Sequence, residues 1–520
     1  MKSNLSRIIA LLLCAIMMLG AFAACGQQAA DNTPATQPDN PGTSTPPADT
    51  ASIKEELVIA MTNDVNALDP MKCWQVAAYH FYWTIYERLI YFNPETGEYE
   101  PELAKSWETA PDGMSYTFYL QEGVKWHDGS DFTAEDVKYT IERGIAEGTG
   151  NYPGVDHVEI IDPLTVKVHM TAPDSVFMDK QWTGDCCVIK KDSGDQLALN
   201  PIGTGPFKFV EWVSGDHITL EAFDGYWREQ SGTKKITFRI IPETNARLVA
   251  LQTGEVDIAP LTATEVPHAT ADDNLNLMST SSITVSYLGF NCQKAPFDNE
   301  LVRQAICYAM DRESMVAAQL EGQGIVLKSL VAPGKMGYYD GFEGYTYDLA
   351  KAKELLTQAG YPNGFDCTVT VSSGKNEISA QLVQASLGEI GINVTINPME
   401  AAAYNDYLAS GQADIFFNSR SGGSADSYVS MLSSEKLGIN GNRMFYVSDE
   451  MDALLEESHL TIDLTARNDV YKKIQEHINE HAPLLPLFAP NIFLGANKNV
   501  QNIRADNEGC HDYRNTYALN

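Results

Sequence analysis

From Leu57 onward, short runs with apolar residues at every second position alternate with longer runs in which they recur every three or four residues. Alternation of those two periods is the pattern of an α/β protein. Tyr116, Phe118 and Leu120 interleave with Thr117 and Tyr119, which predicts a half-buried strand. Thr133-Ala134-Glu135-Asp136 predicts a capping box opening a helix through Arg143. Asp298 or Asn299 caps a further helix, with Leu301, Val302, Ala305, Ile306, Ala309 and Met310 on one face. Asp348 starts another, with Leu349, Ala352, Leu355, Leu356 and Ala359 inward and Gly360 placed to stop it. Ile378, Leu382 and Ala385 mark a helix that feeds a strand at Asn393–Ile396. A chain of 520 residues exceeds what one hydrophobic core spans, so two or three packed lobes are expected. No repeat of solenoid period is visible.

The first 51 residues follow other rules. Lys2 and Arg7 precede an almost unbroken apolar run from Ile8 to Ala24. The run is shorter than the roughly 20 residues of a spanning helix and is followed by no basic cluster. It ends in Phe22-Ala23-Ala24-Cys25-Gly26, which resembles a bacterial lipobox, with Phe22 where Leu is usual. This implies a signal peptide over 1–24 and lipid attachment at Cys25, tethering the chain to the outer surface of a cytoplasmic membrane. Residues 25–51, rich in Pro, Thr, Ala, Asn, Asp and Gly, read as a flexible linker.

A formal net charge of −33 with no basic stretch excludes nucleic acid as a partner, because binding phosphates needs clustered Lys and Arg. An acidic surface of this kind favours a soluble monomer. Besides Cys14 and Cys25 stand Cys73, Cys186, Cys187, Cys292, Cys307, Cys367 and Cys510. Their spacing offers no paired zinc motif, and it predicts buried free thiols with one disulfide at most.

Pro101 to Arg143 carries Ser106-Trp107, Pro111-Asp112-Gly113, Gly123-Val124-Lys125-Trp126-His127-Asp128-Gly129 and Thr133-Ala134-Glu135-Asp136-Val137. Collinear with these follow Gly203-Thr204-Gly205-Pro206-Phe207, Tyr226-Trp227, Leu251 to Asp257, Phe290-Asn291, Pro296-Phe297-Asp298, Val302 to Ile306, and Pro483 to Leu487. Together these blocks resemble the family 5 extracellular solute-binding proteins, the peptide and nickel receptors of ABC importers. The resemblance covers about residue 55 to the C-terminus. It implies an α/β fold that is two-lobed and periplasmic-binding-protein-like (type II, cluster C), with an extra inserted domain and two crossing strands. By it, lobe I takes 52–92, 200–286 and 495–520, the inserted domain 93–199, and lobe II 287–494. Solute, a short peptide foremost, is then captured by hinge closure and passed to the permease subunits, with no cofactor and no catalysis.

The same resemblance nominates ligand-binding residues. Peptide-binding relatives hold the ligand amine with an aspartate three residues after a tryptophan, beyond a strand. Here the strand is Asp414 to Asn418, Arg420 stands at the tryptophan position and Gly423 at the aspartate position, with Gly422 and Asp426 nearby. An ammonium buried without a carboxylate is costly, so a ligand that lacks a free amine, carries an anionic group, or is not a peptide is expected. Ser373 and Lys375, after the strand Thr368–Val371, match where relatives meet a ligand carboxylate. Asn63 and Asp64 lie after the first strand, Trp74 and Tyr79 follow, and Trp182 sits in an inserted-domain loop; all five are candidate contacts.

Two alternatives accompany this reading. A nickel-chelate receptor of the same fold can use His80 or His511, although nothing pairs them in sequence. A zinc hydrolase can use His477, Glu480 and His481, whose HxxEH spacing matches an inverted zinc-protease motif.

Overall fold

The computed structural model describes residues 52–73, 75–93, 96–181, 186–438 and 441–520. The stretches expected to be a signal peptide and a linker, with Cys25, lie outside the described residues, as do Trp74 and Trp182.

A 14-residue strand, Leu484–Asn497, organises the molecule. Its sequence is apolar on both faces, as a central strand covered on both sides requires. Leu484 to Phe488 pair antiparallel with Val285–Phe290, and Phe488 to Pro490 with Gly324–Val326. From Asn491 the partners change to Leu275–Ser281, and from Phe493 also to Ile258–Leu261. Around the crossover, Pro490 to Ile492, the interior of the strand becomes half-buried. A second crossing runs alongside it, because Leu275–Ser281 leads directly into Val285–Phe290.

On one side of this waist the sheet continues through Ile258–Leu261, Glu56–Met61, Lys235–Ile240, His217–Ala222 and Phe207–Val213. On the other it continues through Val285–Phe290, Ile415–Arg420, Asp366–Ser372 and Asn393–Met399. The fold is therefore mixed α/β and two-lobed.

Between Ile90 and Ile189 the chain builds a separate antiparallel sheet in the order Ala104–Thr109, Ser115–Leu120, Thr165–Met170, Val155–Asp162. Tyr116, Phe118 and Leu120 are buried while Thr117 and Tyr119 are half-covered, as their alternation predicts. The helix beside this sheet, Ala134–Glu147, opens with the Thr133/Asp136 capping box. It runs past Arg143 until Gly148, which adopts φ 68°. Asn299, not Asp298, caps Glu300–Ala309 by accepting Leu301 N–H at 3.0 Å. Asp348 caps Leu349–Gln358, and Gly360 stops it at φ 91°.

Apolar side chains of this antiparallel sheet and of the short helix Val176–Lys180, including Phe118 and Phe177, share one continuous core with Tyr287, Met336 and Tyr471. A buried ion pair crosses that contact. Arg467, on the Leu464–His481 helix, donates to Asp179 Oδ1 at 2.6 Å and to Ser175 O at 2.7 Å. Both partners are almost fully buried, at 2% and 0% exposure.

Two of the sequence blocks prove to be one structural unit. Gly203 N–H donates to His127 Nδ1 at 3.2 Å, His127 N–H donates to Gly203 O at 2.9 Å, and His127 Nε2 lies 3.0 Å from Gly205 O. With Nδ1 accepting, the ring proton sits on Nε2, the neutral tautomer that burial favours by pushing this group down to about 4. None of the seven described cysteines is in a disulfide; all are buried except Cys292, which is half-covered.

Candidate functional site

The carboxyl ends of Glu56–Met61 and Ile258–Leu261 point across the waist toward the lobe II sheet edge. At that edge Gly324 pairs with Pro490 and Val285 pairs with Arg420. Two cavities open here, of about 480 Å³ and about 450 Å³. Both fall within the range of small-molecule sites, roughly 300–1,000 Å³.

The larger, the hinge cavity, is walled by Thr62, His80 and Pro260 to Ala263 from lobe I, by Gln319 to Glu321 from lobe II, and by Pro490 to Phe493 of the crossing strand. Its fourth wall is the C-terminal stretch, through Glu508, Gly509 and His511. The second cavity takes Trp83, Arg88, Tyr91 and Phe92 on one side, Gly334 and Lys335 on another, and Asn502 to Asp512 on the third. Glu508 lines both.

Charge in these walls is paired across elements. Lys335, from lobe II, meets the Glu508 carboxylate. Arg88 is buried, reaches Glu102 at 3.0 Å, and lies over the rings of Trp83 and Tyr91 at 5.1 and 5.4 Å. Arg514 engages Glu102 as well as Asp512, the latter at 2.7 Å. Burial, with Glu508 beside it, pushes the Asp506 carboxyl up to about 6.

The hinge cavity also brings together what sequence separation concealed. His80, on the helix Val76–Ile85, and His511 place their rings 5.6 Å apart, with Tyr513 beside them. His511 Nδ1 accepts Asp506 N–H at 2.9 Å, whereas His80 Nδ1 is buried without a hydrogen-bond partner. Burial pushes His80 down to about 4 and His511, next to His80, to about 3. A depressed histidine contributes stability that is present above its unfolded value near 6.5 and lost as pH falls toward the folded value. The stability advantage of wild type over His511→Asn should therefore shrink by about 2 kcal/mol between pH 7 and pH 5, read from urea melts at both. A difference that is flat or widens on acidification would contradict a buried neutral imidazole.

None of the nine described residues nominated from sequence as peptide contacts lines either cavity, whereas His80 and His511, named for a metal chelate, line the hinge cavity. Asp64 accepts from Val65 N, Trp212 Nε1, Ser214 Oγ and Gly215 N at 2.7 to 3.0 Å. Burial raises its carboxyl, but these donors outweigh that and hold it below the usual range. Its acceptors are committed to the turn after Phe207–Val213. Exposed Asn63 donates to Asp64 O at 3.1 Å. Tyr79 packs edge-on against Tyr82, with centroids 5.9 Å apart.

Ser373 and Lys375 occupy an exposed turn at the carboxyl end of Asp366–Ser372, and Arg420 ends the parallel neighbour Ile415–Arg420. The Arg420 guanidinium donates to Ser427 O at 2.5 Å. A Cβ on Gly422 would sit 2.1 Å from Ser427 Cβ, and Tyr428 OH donates to Gly422 O and to Ile283 O. Gly423 lies in this same loop. Asp426 Oδ1 receives His459 Nε2 at 2.8 Å; burial opposes ionisation, but that bond holds the carboxyl below the usual range. Sequence reasoning missed Glu508 and Arg88, and it named His80 and His511 without a signal that pairs them; those two meet only through the C-terminal return of the chain.

A two-lobed α/β frame with a solute-sized cleft at a two-strand waist defines a solute-binding protein. The sequence profile described as "Bacterial extracellular solute-binding proteins, family 5 Middle" matches residues 98–440. The chain is 29% identical over 474 residues to a dipeptide-binding protein of Escherichia coli K12, covering 83% of this chain and 88% of that one. It is 30% identical over 452 residues to heme-binding protein A of Haemophilus influenzae, covering 78% and 82%. Among solved structures, DppA of Helicobacter pylori in complex with the peptide STSA superposes with TM-score 0.70 at 30% identity, covering 89% and 98%. The chain belongs to the family 5 bacterial extracellular solute-binding proteins, which serve ABC importers. No helix among the described residues is long and apolar enough to cross a membrane.

Proposed function

We propose that this chain captures a short peptide between its lobes, by closure about the two-strand waist, and presents it to an ABC permease while tethered through a lipid on Cys25. The observation that carries the reading is the pair of solute-sized cavities on either side of Glu508, walled by both lobes. Aromatic surface from Trp83, Tyr91 and Phe92 would cover apolar ligand groups, and Lys335 and Arg88 would face anionic ones. Binding without catalysis agrees with the exposed position of Glu480, which faces no cavity. Cys25→Ser protein should be released from the membrane fraction.

The ligand amine supplies the sharper test. Gly423 stands where relatives carry an aspartate, and the Asp64 and Asp426 carboxylates are already bonded. Free and N-acetylated forms of a peptide identified by native mass spectrometry should bind within about threefold of each other in calorimetry. A buried charge-assisted contact would instead separate them by roughly tenfold to a hundredfold. A strong preference for the free amine, lost in Glu508→Gln, would overturn this and make Glu508 the anchor.

A nickel-chelate reading draws support from one observation, the neutral His80–His511 pair in the hinge cavity wall. Neutral imidazole is the form that ligates divalent metals. A retained mass corresponding to a metal chelate, absent from His80→Phe protein, would select it over peptide.

A further inference from the structure

The two histidines of the HxxEH run do meet a carboxylate, though not the one their motif supplies. His477 and His481 lie on consecutive turns at the end of the Leu464–His481 helix, with ring centroids 4.2 Å apart. Glu480 between them is exposed. Glu450, from the first turn of the Asp449–Leu460 helix, closes on the pair instead. One donor atom from each of Glu450, His477 and His481 lies within 4.8 Å of the others.

The surrounding contacts orient both rings. His477 is buried, and its Nε2 is 2.8 Å from the Tyr446 hydroxyl and 3.4 Å from Ser448 Oγ. That leaves Nδ1 turned toward Glu450 Oε2, at 3.6 Å. His481 Nδ1 is 2.7 Å from Glu300 Oε2, which leaves its other ring nitrogen unclaimed by that carboxylate. A histidine held on one nitrogen by an oxygen partner and open on the other is the arrangement seen around ligated metals.

From this geometry we propose that Glu450, His477 and His481 bind one divalent first-row cation of the zinc type, with water in the fourth position. Two imidazoles and a carboxylate match zinc's preferred donors, and tetrahedral ligation at about 2.0–2.1 Å spaces donor atoms about 3.4 Å apart. Reaching that spacing needs the Glu450 side chain, 73% exposed, to swing inward over the histidines. Burial, with His481 adjacent, holds His477 below its ordinary value, in the neutral form a metal requires. The carboxyl end of an 18-residue helix adds a favourable field for a cation. Arg303 already covers the carbonyls of His481 and Ala482, at 2.6 and 3.0 Å, so side chains alone would hold the ion. None of these residues lines a cleft cavity, so the site is structural: it joins the Asp449–Leu460 helix to the end of the Leu464–His481 helix.

Zinc chloride titrated into the chelator-stripped, untagged full chain tests this by calorimetry and thermal melting. Wild type should take up one equivalent and melt at a higher temperature with zinc, because an ion bound only by the folded state stabilises it. His481→Gln and Glu450→Gln should each weaken uptake at least about tenfold and abolish most of the melting shift; both sites are partly or largely exposed, so folding is retained. Cobalt in place of zinc should give the visible bands of a nitrogen- and oxygen-ligated tetrahedral ion. No uptake by wild type, uptake unchanged in both variants, or a thiolate charge-transfer band placing the metal on cysteine would each overturn the proposal.

Discussion

Arg467→Ala should cost about 3–5 kcal/mol of stability, because it leaves the Asp179 carboxylate buried with no counter-charge. The pair is already imperfect: neither Asp179 Oδ2 nor Arg467 Nε has a hydrogen-bond partner. Burial accordingly outweighs the attraction of Arg467 and the Tyr99 bond, and pushes the Asp179 carboxyl up to about 6. Two consequences separate this from simple loss of packing. Without Arg467, which lowers it, the Asp179 carboxyl rises further still, so the folded variant takes up its proton at higher pH than wild type and the deficit of Arg467→Ala should shrink as pH falls from 7.5 to 5. Removing both charges, as Arg467→Met with Asp179→Leu, should recover most of the loss, since buried ion pairs replaced by apolar groups are often neutral. Urea unfolding of wild type and the two variants at the two pH values gives the answer. A single-variant cost below about 1 kcal/mol, or a double variant no better than the single, would mean that the pair does not pin the inserted sheet to lobe II.

Gly203→Ala should be comparably damaging, at about 3 kcal/mol or more, for a reason that involves no charge. A Cβ at Gly203 would lie 1.8 Å from the Ile85 carbonyl oxygen, and one at Gly205 would lie 2.5 Å from Thr84 O. Neither side can retreat. Gly205 N–H donates to Ile85 O at 2.9 Å, and the His127 ring holds Gly203 and Gly205 from the opposite direction. Gly215→Ala is the matched control: its φ is 76°, and a Cβ there meets nothing within 4 Å. It should lose only about 1 kcal/mol from backbone strain. Equal losses at the two glycines, measured by urea unfolding, would sink the close-approach argument.

What the sequence displays depends on how far apart the interacting residues lie. The Thr133/Asp136 box, the Asp348 cap and the alternation through Tyr116, Phe118 and Leu120 are local, and their physics is complete within a few residues. Helix ends were less legible where a cap was ambiguous, as at Asp298 and Asn299, because choosing needs the backbone angle. Asp64 illustrates the opposite case. Its place after the first strand suggests a cleft residue, yet the groups that occupy it, Trp212, Ser214 and Gly215, arrive from a hairpin about 150 positions on. His80 and His511 are separated by most of the chain and meet only because the C-terminal stretch folds back onto the first lobe. The HxxEH spacing was visible as a motif, but its real carboxylate partner, Glu450, comes from another helix.

A strand shared by two half-sheets also sets the mechanics of the molecule. Sliding one half past the other would break ladders on both sides of Leu484–Asn497 at once, so translation is stiff. Rotation about the strand's own axis costs far less, and the soft point is already marked. Partners change between Pro490 and Asn491, Pro490 brings no N–H, and the three residues Pro490 to Ile492 are half-buried between buried neighbours on both sides. The strand is thus a torsion bar with a fulcrum three residues long, and the lever arms on either side are whole lobes. A few degrees of twist at Pro490–Ile492 become ångströms at the rim of the cleft. Substitutions that stiffen those three residues should therefore alter the traffic of solute, while the walls that the two lobes contribute to the cleft stay as they are.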